Sequence, residues 1–235
     1  MIRLDKYLAD SGIGTRSEVK KIVKAGRIKI DNIIVKDADY KFDENSATVL
    51  LDNQPVFYEE YLYFMLNKPA GCVSATKDKL SDTVISFLEG ENVRDLFPVG
   101  RLDKDTEGLL LITNDGKLAH ELLSPKKHVD KVYYATVSRK LSDEDMKRFS
   151  EGLDIGDEKM TLPAQIELID EESIKYKVVL REGRFHQVKR MFEALDSTVT
   201  YLKRMSMGSL ILDENLEPGE YRRLTDKEIL DIKNR

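Results

Sequence analysis

Four consecutive apolar residues, Leu109-Leu110-Leu111-Ile112, lie between a polar loop bracketed by Gly100 and Gly108 and the turn Asn114-Asp115-Gly116. A run this short and wholly apolar, with turn residues at both ends, predicts a strand buried on both faces; a half-buried strand would alternate. Such a strand needs a sheet with apolar material above and below it. Further strands are expected at 61–66, stopped by the turn Asn67-Lys68-Pro69-Ala70-Gly71, at 132–137 and at 176–180. Helices are expected at 142–150, with Met146 and Phe149 inward, and at 186–195, where Val188, Met191, Phe192 and Leu195 form one stripe. Thr225 and Glu228 form a capping box that opens a last helix carrying Ile229 and Ile232. Strands and helices interspersed without regular βαβ alternation point to an α+β domain.

The N-terminal segment reads differently. Thr15 and Glu18 form a capping box, Val19, Ile22 and Val23 follow at helical spacing, and Gly26 is placed to stop the helix. Arg16, Lys20 and Lys24 fall at i, i+4 and i+8, on a face away from that apolar stripe. After Gly26, Ile28 and Ile30 alternate with charges, Asp31-Asn32 can turn, and Ile33-Ile34-Val35 returns as a second short strand. Residues 48–60 read as a last strand and a linker. The expected organisation is therefore a small α/β domain at 1–47, a linker at 48–60 and the larger domain at 61–235.

Net charge is −5, which by itself argues against a nucleic-acid partner. Its distribution argues the other way, because phosphate contacts need only a local basic surface. Six basic residues, including Arg27, stand against the single acid Glu18 between Arg16 and Lys29, and Arg181, Arg184, Lys189 and Arg190 form a second concentration. Two basic patches on an acidic body suit a selective RNA binder. A solvated helix face is the plainer alternative for the first patch. The single cysteine, Cys72, cannot form an intrachain disulfide and lacks the company a zinc site needs, so it reads as a small core residue and no metal is expected. No apolar run approaches the ~18 residues of a membrane span, and Met1-Ile2-Arg3-Leu4-Asp5-Lys6 lacks a signal peptide's apolar core, so a cytoplasmic protein without membrane contact is expected.

The densest chemical constellation is Gly100-Arg101-Leu102-Asp103-Lys104-Asp105-Thr106-Glu107-Gly108. A polar loop at the mouth of a buried sheet can hold a reactive side chain rigidly and still leave it reachable. Spacing alone does not distinguish such a loop from an ordinary solvated acidic turn.

The same string, continuing into Leu109-Leu110, resembles the signature loop of the pseudouridine synthases, in particular the ribosomal small-subunit (RsuA-type) branch. The resemblance extends to Tyr63-Phe64-Met65-Leu66-Asn67-Lys68-Pro69, Lys131-Val132-Tyr133, the stretch from Glu182 to Phe192 and Pro218-Gly219-Glu220-Tyr221-Arg222. Arg3-Leu4-Asp5-Lys6-Tyr7-Leu8 and Gly26-Arg27-Ile28-Lys29-Ile30-Asp31 resemble an S4 RNA-binding domain. The implied fold is an S4-like domain followed by a mixed, largely antiparallel sheet. The implied activity is isomerisation of a uridine in 16S ribosomal RNA by a monomer, on naked RNA or an assembling small subunit. A 23S target and a non-catalytic RNA-binding assembly factor are the alternatives.

The resemblance also implies roles. Asp103 matches the catalytic aspartate, with Asp105 its competitor two residues on. A carboxylate can stabilise positive charge at a sugar C1′ or bond there covalently; attack at C6 and elimination through a glycal stay open. Tyr133 matches a tyrosine that stacks on the target base, and Tyr134, on the opposite face of an alternating strand, fits a core position better. Lys189 matches the cation that pairs with the catalytic carboxylate, with Arg184 as second candidate. Arg101 is placed to help displace the target nucleotide. Arg16, Lys20, Lys24 and Arg27 would grip RNA, and His186 is expected to make a hydrogen bond at a helix N-terminus. The isomerisation is redox-neutral, so no cofactor is implied.

Overall fold

The computed structural model describes residues 1–91, 93, 95–124 and 127–234. The chain forms two compact units, Met1–Tyr61 with Gly90–Asp95, and Leu62–Glu89 with Leu96–Arg235.

In the first unit, β1 (Ile2–Arg3) leads into α1 (Leu4–Asp10), and α2 (Arg16–Lys24) follows. The capping box forms: the Glu18 N–H donates to Thr15 Oγ1, and the Glu18 carboxylate accepts from the Thr15 N–H at 2.8 Å. Gly26 takes a left-handed φ of 73° just past the helix, as expected of a terminating glycine. Val19 and Val23 are fully buried, and Arg16, Lys20 and Lys24 are exposed on the other side. β2 (Ile28–Ile30) pairs antiparallel with β3 (Ile33–Ile34) across Asp31-Asn32, both left-handed, the geometry of a tight hairpin turn. β4 (Lys41–Phe42) pairs with β1.

Residues 48–60 contain the expected last strand and a further one where a linker was expected. They hold β5 (Val49–Leu51), which pairs with β2, and β6 (Gln54–Pro55), joined by a second left-handed turn at Asp52-Asn53. Val56 and Tyr58 pack on the core of this unit, and the Tyr7 hydroxyl donates to the Val56 carbonyl. A strand of two residues carries too few side chains to show a period, so β6 resembles a linker until its partner is seen.

The second unit is built on a sheet that, among the described residues, has nine strands. Its strands are β7 (Tyr63–Lys68), β8 (Phe97–Pro98), β9 (Glu107–Thr113), β10 (Lys131–Val137), β11 (Gln165–Asp170), β12 (Lys175–Leu180), β13 (Val199–Met207), β14 (Leu210–Ile211) and β15 (Tyr221–Arg223). The order is β11-β12-β10-β13-β9-β7-β15, with β14 on β13 and β8 on β9. All these pairs are antiparallel except β13 with β9. Helices α3 (Gly116–Leu123), α4 (Asp143–Glu151), α5 (Gln187–Glu193) and α6 (Asp226–Lys233) complete the unit.

The apolar run lies in β9, and its burial explains the missing alternation. Leu109 and Leu111 pack with Leu118, Leu122 and Ile232, whereas Leu110 and Ile112 pack with Phe64, Leu66 and Val84. A third cluster joins α4, α5, β10 and β12 through Phe149, Tyr176, Met191 and Phe192. Gly108, the second residue of β9, has φ +98°, and a Cβ there would stand 2.3 Å from the Arg204 carbonyl oxygen. Only glycine lets β9 and β13 approach in parallel at this point. β7 runs two residues beyond expectation, through Asn67 and Lys68, and all six of its residues are buried. Among the described residues no helix is long and apolar enough to cross a membrane.

Candidate active site

The loop from Gly100 to Gly108 is held from below by its backbone. Leu102 donates its N–H to Ser74 Oγ, and the same hydroxyl donates to the Leu102 carbonyl. Lys68 is completely buried. Its ammonium donates to the carbonyls of Asp103 at 3.0 Å, Thr106 at 2.9 Å and Pro69 at 3.1 Å, and lies 3.4 Å from that of Lys104. Burial pulls the Lys68 pKa down; the carbonyl oxygens converging on the ammonium are what make its burial tolerable. Gly71 donates its N–H to the Lys104 carbonyl at 2.7 Å. The backbone on both sides of Asp103 is therefore clamped, and its carboxylate projects from a rigid base.

Sequence reasoning assigned Lys68 to a turn and gave it no function. The available signal was a lysine following the six apolar or aromatic residues 61–66 and an asparagine, where burial of a charge would have to be compensated.

Helix α5 faces this loop. Lys189, in its first turn, places Nζ 3.2 Å from Asp103 Oδ2 and 2.6 Å from Asp105 Oδ1. The lysine side chain is 17% exposed and that of Asp103 22%, whereas that of Asp105 is 72% exposed. The hydrogen bond from Lys189 holds the Asp105 carboxyl below its ordinary pKa. Burial lowers the pKa of Lys189, but the hydrogen bonds to Asp105 and Asp103 outweigh it and the net shift is upward.

His186 does not behave as expected. It occupies the N-cap position of α5 in a left-handed conformation, φ 48°, and its side chain makes no capping hydrogen bond. Its ring lies flat on Phe185, centroids 3.8 Å apart, and Nε2 sits 3.5 Å from Asp103 Oδ1. The left-handed backbone turns the imidazole away from the helix N–H groups and toward the loop. Phe185 itself is 74% exposed.

Arg184, the other candidate partner for Asp103, is committed elsewhere. Its guanidinium donates to Glu182, to the carbonyls of Lys159 and Met160 and to Asp157. These contacts brace the 157–160 loop, and the cation left to face Asp103 is Lys189.

Tyr133 also corrects an expectation. On β10 the buried positions are Lys131, Tyr133, Ala135 and Val137, and Tyr134 is only half-buried. Tyr133, not Tyr134, belongs to the core, and it also lines a cavity of about 110 Å³ beside Asp103. Both roles are compatible because the cavity opens within the core face of the sheet. Arg101, Arg184, Leu202 and Arg204 also line it, and Arg101 is exposed at its edge. In the other unit Arg16, Lys20 and Lys24 point to solvent, whereas Arg27 is ion-paired with Asp52. Cys72 is buried, as expected of a core residue.

A loop carboxylate clamped by backbone, paired with a helix lysine and set beside a tyrosine-lined cavity is the geometry to which the comparisons with known proteins attach. The family model described as RNA pseudouridylate synthase matches residues 62–194, and the S4 domain model matches residues 2–47. The chain belongs to the RNA pseudouridylate synthases. It is 48% identical over 231 residues to an uncharacterised RNA pseudouridine synthase of Bacillus subtilis, covering 97% of each chain. It is 38% identical over 232 residues to the ribosomal small subunit pseudouridine synthase A of Vibrio cholerae, covering 98% of this chain and 99% of that one. Among solved structures, one described as a pseudouridylate synthase covers 99% of this chain and 100% of its own, with 37% identity and a TM-score of 0.69. The second unit is thus the synthase domain of an RNA pseudouridine synthase, and the first carries its S4 domain.

Proposed function

We propose that this synthase isomerises one uridine of 16S ribosomal RNA, with Asp103 as nucleophile. The observation that carries the proposal is the Asp103 carboxylate itself, clamped at its backbone, 3.2 Å from Lys189 and facing a cavity lined by Tyr133. The relationship to small-subunit synthases over nearly the whole chain supports the choice of 16S RNA.

The chemistry follows from the bond changes. The target nucleotide leaves its stack so that its C1′ can reach the carboxylate, and Arg101 at the cavity edge takes part in displacing it. An Asp103 oxygen attacks C1′ as the N1–C1′ bond breaks, and the electron pair stays on the uracil ring. The ring rotates, C5 attacks C1′ and releases the carboxylate. C5 then loses its proton, and N1 gains one. Tyr133 stacks on the ring and limits its escape during rotation. Lys189 holds the carboxylate in place through its ion pair, while Arg184 holds the wall of the site. Atoms and electrons balance without an external oxidant or metal. Arg16, Lys20 and Lys24 on the S4 domain supply phosphate contacts, with a smaller part for Arg27, whose charge Asp52 already offsets.

The test is to map pseudouridines in ribosomal RNA from cells with and without the protein. Loss of a single 16S pseudouridine, restored by the purified protein, is expected. Loss from 23S RNA instead would replace the target, and no loss would overturn the proposal.

A further inference from the structure

Two buried polar atoms beside the cavity have no partner within the described protein: Arg204 Nη2 and Thr106 Oγ1. Both side chains line the cavity next to Asp103, with Arg204 2% and Thr106 1% exposed. Buried polar groups are almost always hydrogen-bonded, so an unpaired pair facing one cavity calls for an explanation.

Each is rigidly placed. Arg204 lies on β13 directly opposite Tyr133 on β10, so the two side chains share a face of the sheet. Its Nε donates to the Leu109 carbonyl at 2.8 Å, which fixes the guanidinium plane and leaves Nη2 free. Among the described residues no carboxylate forms an ion pair with it. The Thr106 N–H donates to the Asp103 carbonyl, and its own carbonyl accepts from Lys68, so the clamp that fixes Asp103 also fixes this hydroxyl.

We propose that Arg204 and Thr106 form the subsite for the polar edge of the extruded uracil, an inference that rests on the uridine isomerisation proposed above. Uracil presents a carbonyl, an N–H and a second carbonyl in sequence along that edge. The arginine donates to O4, and the threonine oxygen accepts from the adjacent N3–H. Cytosine places an amino group at C4, so it meets the arginine donor with a donor; the hydroxyl can turn to donate to its unprotonated N3, and the discrimination rests on Arg204. The cation has a second use. When the N1–C1′ bond breaks, the electron pair left on the ring spreads onto O2 and O4, and an arginine held in a dry site stabilises that charge better than a mobile group could. This makes Arg204 a catalytic residue that also selects uracil over cytosine, and Thr106 a residue that orients the base.

The test uses the full-length protein and a ribosomal RNA transcript labelled with tritium at uracil C5, the position whose proton is lost. Rates are measured at saturating RNA, alongside RNA affinity and melting temperature. T106V removes only the hydroxyl, which no protein group uses. It should lower the rate about tenfold or more while leaving melting temperature unchanged or higher, since an unsatisfied buried oxygen is gone. R204K keeps a cation but cannot reach both the Leu109 carbonyl and the base, and should lower the rate about 100-fold with RNA affinity unchanged. A T106V protein that melts well below wild type, or either variant turning over at the wild-type rate, overturns the subsite. Wild-type protein that releases no tritium overturns the isomerisation reading and the subsite with it; active wild type with unimpaired variants overturns the subsite alone.

Discussion

Replacing Lys189 with methionine is the perturbation that best separates a catalytic carboxylate from a structural one. Methionine keeps the unbranched stem against the apolar side of α5 and removes the charge. Two contacts disappear, and they are unequal. The bond to Asp105 is the shorter at 2.6 Å, but that side chain is 72% exposed and its pair is screened by water. The contact to Asp103 is longer at 3.2 Å, yet both side chains there are largely buried. At an effective dielectric of about 20, charges at that separation attract by about 5 kcal/mol before desolvation is counted. The desolvation cost of a partly buried pair offsets most of this, leaving about 1–2 kcal/mol net.

Unfolding in urea should therefore show K189M destabilised by about 1–2 kcal/mol. A double-mutant cycle with D103N should show coupling of about 1 kcal/mol, and one with D105N less than about 0.5 kcal/mol. Turnover measured by tritium release should fall about 100-fold or more, as when a fixed cation or donor is removed from a site of developing charge. K189R should retain more activity than K189M, because the charge survives in altered geometry. The pH dependence has a definite sign. The Asp105 carboxyl is held below its ordinary value, so its share of the pairing is present above the usual carboxylate range and lost as pH falls through the depressed pKa. Lys189 is raised, so its share is complete below the usual lysine pKa and lost only as pH rises through the raised value. The couplings should accordingly be flat across neutral pH. A K189M protein with wild-type turnover and weakened RNA binding would refute this reasoning and make Lys189 a phosphate contact.

Asp103→Asn preserves volume and removes the anion, so turnover should vanish while RNA affinity changes little and stability falls only by the Lys189 coupling of about 1 kcal/mol; an active D103N protein with an inactive D105N counterpart would transfer the role to Asp105. Replacing Arg16, Lys20 and Lys24 together with glutamine should weaken RNA binding and flatten its salt dependence by roughly one unit of slope per lost phosphate contact. Its rate at saturating RNA should be nearly that of wild type, and an unchanged slope would show the row to be a solvated surface. Glu228, hydrogen-bonded to Arg222 and closing the Thr225 capping box, has its pKa lowered from 4.5 to about 2. Its contribution, on the order of 2 kcal/mol, is present above pH about 4.5 and lost as pH falls to about 2. E228Q should remove that part of the acid unfolding curve, and an unchanged curve would refute the assignment.

Much of this protein can be read locally. The three capping boxes, the left-handed turn at Asp31-Asn32 and the buried strand at Leu109-Leu110-Leu111-Ile112 each depend on residues a few positions apart, and each forms as the local chemistry requires. The loop around Asp103 was legible for the same reason, since its glycines, carboxylates and following strand are contiguous. β13 was not legible, because Lys203 and Arg204 interrupt its apolar pattern and the strand exists through its neighbours β10 and β9. β6 was hidden by brevity.

The sequence by itself determined the two-part organisation, the α+β class of the larger part, the basic row at the N-terminus and the loop that carries Asp103. Only the tertiary structure decided which cation meets that carboxylate, which tyrosine borders the cavity and why Lys68 can be buried. Lys189 and Asp105 are 84 positions apart, and Arg184 is drawn away by Asp157 and Glu182. The reason lies in the range of the forces. Caps, turns and apolar periodicity are settled within one or two turns of chain. Partnerships among charges depend instead on sheet order, which sets the β9 loop against α5 and encloses the site within the core, where each buried charge must find a partner.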